Sequence, residues 1–411
     1  RPDPFHLVKP EIDHLRTTLL NLLGSSHPAL TQIANYYFLH PSKQVRPLLV
    51  LLFARATNGI GTRWHDKAWA AQSEHAADEL DRPLTRPDVL TDWNPRMPDH
   101  SASFSSVFDL VAPPRPSVVA PRPPAAVSTS PAHPIGTLCS DPIILPTQAR
   151  LAQIVEMIHV ASLLHDDVID ASPLRRGAPS APAAFGSKLT VLAGDFLLGR
   201  ASAALSRLGE TEVVEIIASV ISNLVEGEVL QLKDAIMGNG NGPAVTRETW
   251  NMYMHKTYLK TASLMAKGCR ASVVLGGARD GDICKEVAYA YGRNIGLAFQ
   301  LVDDVLDYES SEKTLGKPGG ADLALGLATA PALFAWEENP AMGALIERKF
   351  SADGDIEMAR DFVRNSNALQ RTRELAEAHA AKAREVLHHL PPSDARIALE
   401  VLTEKVVRRN H

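Results

Sequence analysis

Residues 151–170 read LAQIVEMIHVASLLHDDVID, and they decide the fold. At about 100° per residue, Glu156, His159, Asp166, Asp167 and Asp170 fall within one arc of about 100° on a helix. The rest of that helix surface is Leu, Ile, Val, Met and Ala, so most of its sides are expected to be buried. Carboxylates on a buried helix are costly unless they are paired, hydrated or bound to a metal. The stripe is therefore expected to line a wet cavity.

A second stretch, GLAFQLVDDVLD at 296–307, repeats the pattern. Gln300, Asp303, Asp304 and Asp307 again share one arc. Both stretches contain Asp-Asp-x-x-Asp, which sets the first and last carboxylates one helical turn apart. Oxygen ligands suit hard cations, and Mg²⁺ commonly takes a few carboxylates together with water and substrate phosphate oxygens. One such motif can be a solvated acidic face. Two, each inside an apolar helix, point to facing stripes that hold Mg²⁺ around one diphosphate.

Basic residues supply the complement. Lys43 and Arg46 stand in PSKQVRP at 41–47, Arg175 and Arg176 follow the first stripe, and Lys260-Thr261 and Lys317 lie farther on. Singly each could be a surface charge. Together they offer forks and point charges for a second phosphate group.

Working outward, helical spacing dominates and strand alternation is scarce. Two or three helices are expected over 4–57. Others are expected near 147–171, 187–208, 211–237, 247–276, 282–309, 321–336, 353–366, 368–389 and 393–408, with breaks at Pro173, Gly177, Gly209, 238–242 and 316–320. The expectation is one all-α domain over 1–411, interrupted at about 62–140 by a Pro-rich, disordered insertion with fraying helical edges. Residues 81–140 hold 12 of the 29 prolines, a density that blocks helix and sheet alike.

Composition narrows the function further. With 45% hydrophobic and 22% charged residues the chain has a globular balance, and its net charge of −5 excludes a strongly basic nucleic-acid binder. The three cysteines, Cys139, Cys269 and Cys284, show neither a disulfide framework nor zinc spacing. No uninterrupted apolar run reaches the roughly 18 residues of a membrane span.

LLHDDVID followed by RRG, together with FQLVDDVLDY, resembles the trans-isoprenyl diphosphate synthases, and among them the fungal long-chain type of the ubiquinone pathway. The resemblance covers 4–60 and 140–411. It implies the all-α isoprenoid-synthase bundle around a central cavity, and roles residue by residue. Asp166 and Asp170 would bind Mg²⁺ with support from Asp167, as would Asp303, Asp304 and Asp307. Lys43, Arg46, His159 and Arg176 match positions that hold isopentenyl diphosphate. Arg175, Lys260, Thr261, Gln300 and Lys317 match those that hold the allylic diphosphate. Ala161 and Ser162 match the positions that set product length, where small residues allow long tails. Two departures stand out: Gly-Gly-Lys-Arg of the family is Pro-Ser-Lys-Gln at 41–44, and a further allylic lysine is Leu327.

The implied reaction adds isopentenyl units successively to an allylic primer of farnesyl or geranylgeranyl type. The resemblance also implies a homodimer or heteromer, a mitochondrial setting with peripheral membrane association, and a product of roughly six to ten units, six being the expectation, in a tunnel whose bore is set by side-chain packing. A terpene cyclase would ionise the same substrate but needs no isopentenyl site, and a non-catalytic partner subunit tends to lose the acidic motifs. Lys43, Arg46 and the second DDVLD favour the synthase over both.

Overall fold

A computed structural model describes residues 1–23, 27–39, 44–72, 80, 144–237, 245–309 and 320–409. Among them the chain is helical almost throughout, in agreement with the all-α expectation. The Pro-rich residues 81–143 lie outside the described residues, and so do Lys43, Cys139 and Lys317.

Four helices, not two or three, occupy the N-terminal stretch: α1 (Pro4–Leu7), α2 (Lys9–Leu22), α3 (Pro28–Leu39) and α4 (Val45–Thr57). The stretch expected to be an insertion from about 62 opens with a further helix, α5 (Trp64–Ala71). It is docked on the body: Arg63 N donates to Gly277 O at 3.0 Å, and Lys67 pairs with Glu210 at 2.8 Å.

α6 (Pro146–Ile169) carries the first acidic stripe. Pro146 suits its first turn, where a missing N–H costs nothing, and Gln148 Oε1 accepts from the Leu145 amide at 3.0 Å. The helix ends as the chain turns to positive φ at Ala171, ahead of Pro173. A two-strand hairpin follows, with Leu174 opposite Pro179 and Arg175 opposite Ala178. Its turn residues Arg176 and Gly177 have φ of 53° and 77°, the positive values that a tight hairpin of primed type requires. α7 (Ala181–Phe185), α8 (Ser187–Ser206) and α9 (Thr211–Met237) come next.

The helix expected over 247–276 divides. α10 (Arg247–Thr257) and α11 (Ser263–Leu275) are joined by a π-helical turn, Tyr258–Ala262. α12 (Ile283–Glu309) carries the second stripe. The helix expected over 321–336 is instead a short α13 (Ala321–Ala324) and α14 (Ala330–Glu338), since Pro331 lies in the first turn of α14 and would break a continuous helix. α15 (Ala341–Glu347) was not expected, being too short to show a period. α16 (Asp355–Arg364), α17 (Ala368–Leu387) and α18 (Asp394–Val407) complete the chain.

The packing follows from the apolar faces. Between Arg46 and Arg55 α4 is apolar all round, with Leu48 through Phe53 at most 1% exposed, so it sits centrally against α6, α11 and α18. α6 packs on α8, and α12 on α11 and α17. Two glycines on α12 bring it unusually close to its neighbour. A Cβ at Gly296 would lie 2.6 Å from Ala262 Cα, and one at Gly292 2.6 Å from Ala266 Cα. That approach seats the π turn against the second stripe. α8 packs its inner side on α6 and leaves Leu189, Val191 and Leu192 exposed. By length and composition alone it is also apolar enough to cross a membrane.

Candidate active site

One cavity of about 720 Å³ receives both acidic stripes. Asp166 and Asp170 line it from α6, and Asp303, Asp304 and Asp307 from α12. Arg46, His159, Arg175, Arg176, Lys260, Thr261, Gln300 and Ser162 share the same wall. Of the residues singled out in the sequence, Asp167 and Ala161 are fully buried and do not line the cavity. Leu327, standing where a lysine was expected, is on the wall as an apolar residue.

Asp167 faces the protein. Arg175 grips it through Nε at 2.8 Å and Nη2 at 2.5 Å, and the Tyr37 hydroxyl donates to its other edge. Tyr37 also accepts from the Ala181 amide at 2.8 Å, which ties α3, α6, the hairpin and α7 together. Asp167 therefore anchors the arginine hairpin at the cavity rim.

Asp304 is placed similarly on α12. It is 2% exposed, and it accepts from the Tyr253 hydroxyl at 2.5 Å and from Gln300 Nε2 at 2.9 Å. Thr261 in turn donates to Gln300 Oε1 at 2.9 Å, so the π turn orients the glutamine that orients the aspartate. Asp307 accepts from the amides of Ala321 and Asp322 at 3.2 Å. Asp303 pairs with Arg409 Nη2 at 2.6 Å. Lys260 pairs with Glu228 at 2.5 Å and donates to Gln231 at 2.9 Å.

Burial shapes the charges. It raises the Asp166 carboxyl to about 6 against the pull of Lys260, with Glu228 and Asp170 adding to the rise. It also raises Asp304, while the Tyr253 and Gln300 hydrogen bonds act against it. Asp322 is pushed up by burial and by Asp307, Asp304 and Asp303. On the other wall, burial and then Arg46, Arg176 and Arg175 hold His159 well below its usual value, so its ring is neutral near pH 7. Arg46 Nη1 lies 3.1 Å from His159 Nε2. Arginine can only donate, so Nε2 accepts and the ring proton sits on Nδ1.

The donor set tests the fit to a metal. Among the described residues no three His, Cys, Asp or Glu side chains converge tightly enough to form a closed site. Spread carboxylates in a polar cavity match Mg²⁺, which keeps waters and takes phosphate oxygens from its substrate. A structural zinc centre, by contrast, needs a closed set of four.

Several site residues were not singled out from the sequence. The Tyr253 hydroxyl holds Asp304. Glu156 was read as part of the stripe without a role, and burial raises its carboxyl beside Arg46 and Arg176. Lys256, Asp322 and Arg409 also line the cavity. Spacing offered a signal for Lys256, one turn before Lys260, and none for Arg409. His165, next to Asp166 in the chain, faces Asp195 at 3.4 Å, away from the cavity.

Comparisons with known proteins give the family. Residues 135–363 match the sequence model of the polyprenyl synthetase family. The chain is 48% identical to a probable mitochondrial hexaprenyl pyrophosphate synthase of Neurospora crassa, over 99% of this chain and 82% of that protein. It is 41% identical to the mitochondrial hexaprenyl pyrophosphate synthase of Saccharomyces cerevisiae, over 99% of this chain and 90% of that protein. Among solved structures, a Caulobacter crescentus polyprenyl synthase crystallised with calcium and isoprenyl diphosphate superposes with a TM-score of 0.71 at 27% identity, covering 99% of this chain and 97% of that one. Two facing acidic stripes in an all-α bundle and close relatives of near full length lead to one conclusion: the chain belongs to the polyprenyl synthetase family and is a prenyltransferase.

Proposed function

We propose that this protein is an Mg²⁺-dependent long-chain trans-polyprenyl diphosphate synthase that builds a ubiquinone side chain in mitochondria. The observation that carries the reading is the meeting of both acidic stripes and the arginine–histidine wall in one cavity. Asp166 and Asp170 on one side, and Asp303, Asp304 and Asp307 on the other, hold Mg²⁺. When bound, the metal neutralises charge on the diphosphate that leaves the allylic primer.

The chain's own groups do the rest. Arg46 and Arg176 carry fixed charge toward the isopentenyl diphosphate, and neutral His159 donates from Nδ1. Lys43 and Lys317, outside the described residues, are assigned to the same work by the resemblance. Lys260, Thr261 and Gln300 face the allylic diphosphate, and Arg175 fixes the hairpin edge through Asp167. As the allylic C–O bond breaks, the isopentenyl double bond attacks the carbon left electron-poor. The new cation then loses a proton to the departed diphosphate. Leu163, Phe299, Leu306 and Leu325 line the same space and exclude the water that would trap either cation.

Product length is assigned to the small residues Ala161 and Ser162, one turn before Asp166. Ser162 lines the cavity and donates to the His159 carbonyl at 2.8 Å, so a larger side chain there would enter the path of the tail. A hexaprenyl tail is proposed because the relatives of near full length are hexaprenyl pyrophosphate synthases. The protein is further proposed to be one domain with the Pro-rich segment as an insertion, and to self-associate as a homodimer. Exposed Leu192 on α8, with Val225, Val229 and Leu232 on α9, supports that association.

The test is chromatography of dephosphorylated products from the pure chain supplied with farnesyl diphosphate, isopentenyl diphosphate and Mg²⁺. Ser162→Phe should shorten the product while the first condensation survives, at a stability cost of about 1–3 kcal/mol. Failure of the wild type to extend the primer refutes the reading. An unchanged product from a folded Ser162→Phe refutes the assignment of length.

A further inference from the structure

Arg409 follows α18 and reaches the cavity wall with its side chain only 12% exposed. Its guanidinium is held on a single turn of α12. Nη2 lies 2.6 Å from Asp303 Oδ1 and donates to the Phe299 carbonyl at 2.6 Å, while the guanidinium carbon sits 3.8 Å from the centre of the Phe299 ring. Nε is buried and has no hydrogen-bond partner among the described residues. A cation this sequestered needs a counter-charge, and Asp303 supplies it. Asp303 is also the leading carboxylate of the second stripe, and a divalent cation there would draw on the same carboxylate.

We propose that Arg409 is the internal counter-ion of Asp303 in the metal-free protein, and that a divalent cation must displace it to occupy the second stripe. The inference rests on the reading of the stripes as metal sites given above. Guanidinium and metal cannot share the carboxylate cheaply: they repel each other and compete for the same lone pairs. The leading carboxylate of the first stripe is placed differently: the Asp166 carboxyl accepts no hydrogen bond from the described residues, and Lys260, which pulls on its charge, is paired with Glu228. Metal loading is therefore graded. The first stripe fills at lower metal concentration, and filling of the second loosens the chain beyond α18.

The experiment is calorimetric titration of Mg²⁺ into the full chain and into Arg409→Gln and Arg409→Lys, with and without inorganic diphosphate. Two classes of site are expected in the wild type. In Arg409→Gln the weaker class should tighten by about three- to tenfold, a modest gain because Asp303 is partly exposed to water; the stronger class should not move, and Arg409→Lys should fall between. Equal or weaker affinity of that class in a folded Arg409→Gln overturns the proposal. Should the variants not fold, hydrogen exchange of the wild type decides. Amides at 406–409 exchange faster on addition of Mg²⁺ if Arg409 is displaced, and unchanged exchange overturns it. A full chain that takes up no Mg²⁺ in either condition refutes the metal reading itself, an outcome distinct from equal affinities.

Discussion

The two Asp-Asp-x-x-Asp stripes share a motif and one internal device, and they differ in everything around it. In each, the second aspartate is buried and accepts from a tyrosine hydroxyl: Asp167 from Tyr37, Asp304 from Tyr253. On α6 the protein spends its contacts on that second residue, adding the Arg175 fork. On α12 it also engages the outward carboxylates, Asp303 through Arg409 and Asp307 through two backbone amides. The first stripe is thus built to anchor a hairpin through its second aspartate, with the Asp166 carboxyl turned to the cavity. The second is organised in advance by protein groups. A shared motif takes its working state from distant partners.

The largest effect should come from the outward carboxylates. Asp166→Ala and Asp303→Ala should each lower condensation by about 10³-fold, about 4 kcal/mol of transition-state stabilisation, with helicity kept. Steady-state kinetics at saturating Mg²⁺ tests this, and near-normal turnover in either variant breaks the pairing of the stripes.

Next is Asp167→Ala. It leaves the half-buried Arg175 beside Tyr37 without its carboxylate, which should cost about 3 kcal/mol of stability, at the lower end for a broken buried pair because Arg175 is partly exposed. Denaturant melts measure it. A loss no larger than that of Tyr253→Phe would mean that the hairpin does not hang on Asp167.

Tyr253→Phe removes one hydrogen bond from a buried carboxylate and should cost about 1–3 kcal/mol. Its sharper readout is metal affinity at the second stripe, which should weaken as Asp304 loses a restraint. Unchanged affinity would limit Tyr253 to packing.

The smallest effect concerns pH. Asp166 has its folded value raised to about 6 from an ordinary 3.8. The folded state then binds more protons than the unfolded chain between those values, so this group's contribution to stability falls as pH rises through that window. In metal-free protein, Asp166→Asn should melt with a smaller gain between pH 7 and pH 5 than the wild type. Parallel melting curves for the two proteins would deny the raised value.

The helices that carry the site were legible because each has a clean apolar period broken by Gly or Pro. The stripes were legible for the same reason: four or five polar residues on one face of an apolar helix contradict their surroundings. What could not be read is whatever joins distant segments. Tyr37 meets Asp167 across 130 positions, and Arg409 meets Phe299 across 110. Neither residue is unusual in its own neighbourhood, Tyr37 being one more aromatic on an apolar helix and Arg409 one more charge past a helix end. The split of 247–276 was hidden too. A π turn keeps helical spacing on both sides and differs only by its wider hydrogen bonds.

That turn also makes the enzyme's frame sensitive to length in a way no side chain reveals. Tyr258–Ala262 takes up one residue more than a regular helical turn would need. It acts as a phase shifter between α10, whose Tyr253 and Lys256 address the cavity, and α11, which is locked in the core. Loss of a single residue there would restore an ordinary helical turn and leave α10 and α11 nearly in phase, whereas gain of one finds the slack already taken up and would rotate everything upstream by about 100°. With that gain Tyr253 would swing off Asp304 and Lys256 off the cavity, although every residue of both stripes was still in place. A one-codon insertion at this joint should therefore silence the enzyme while its catalytic motifs read as intact.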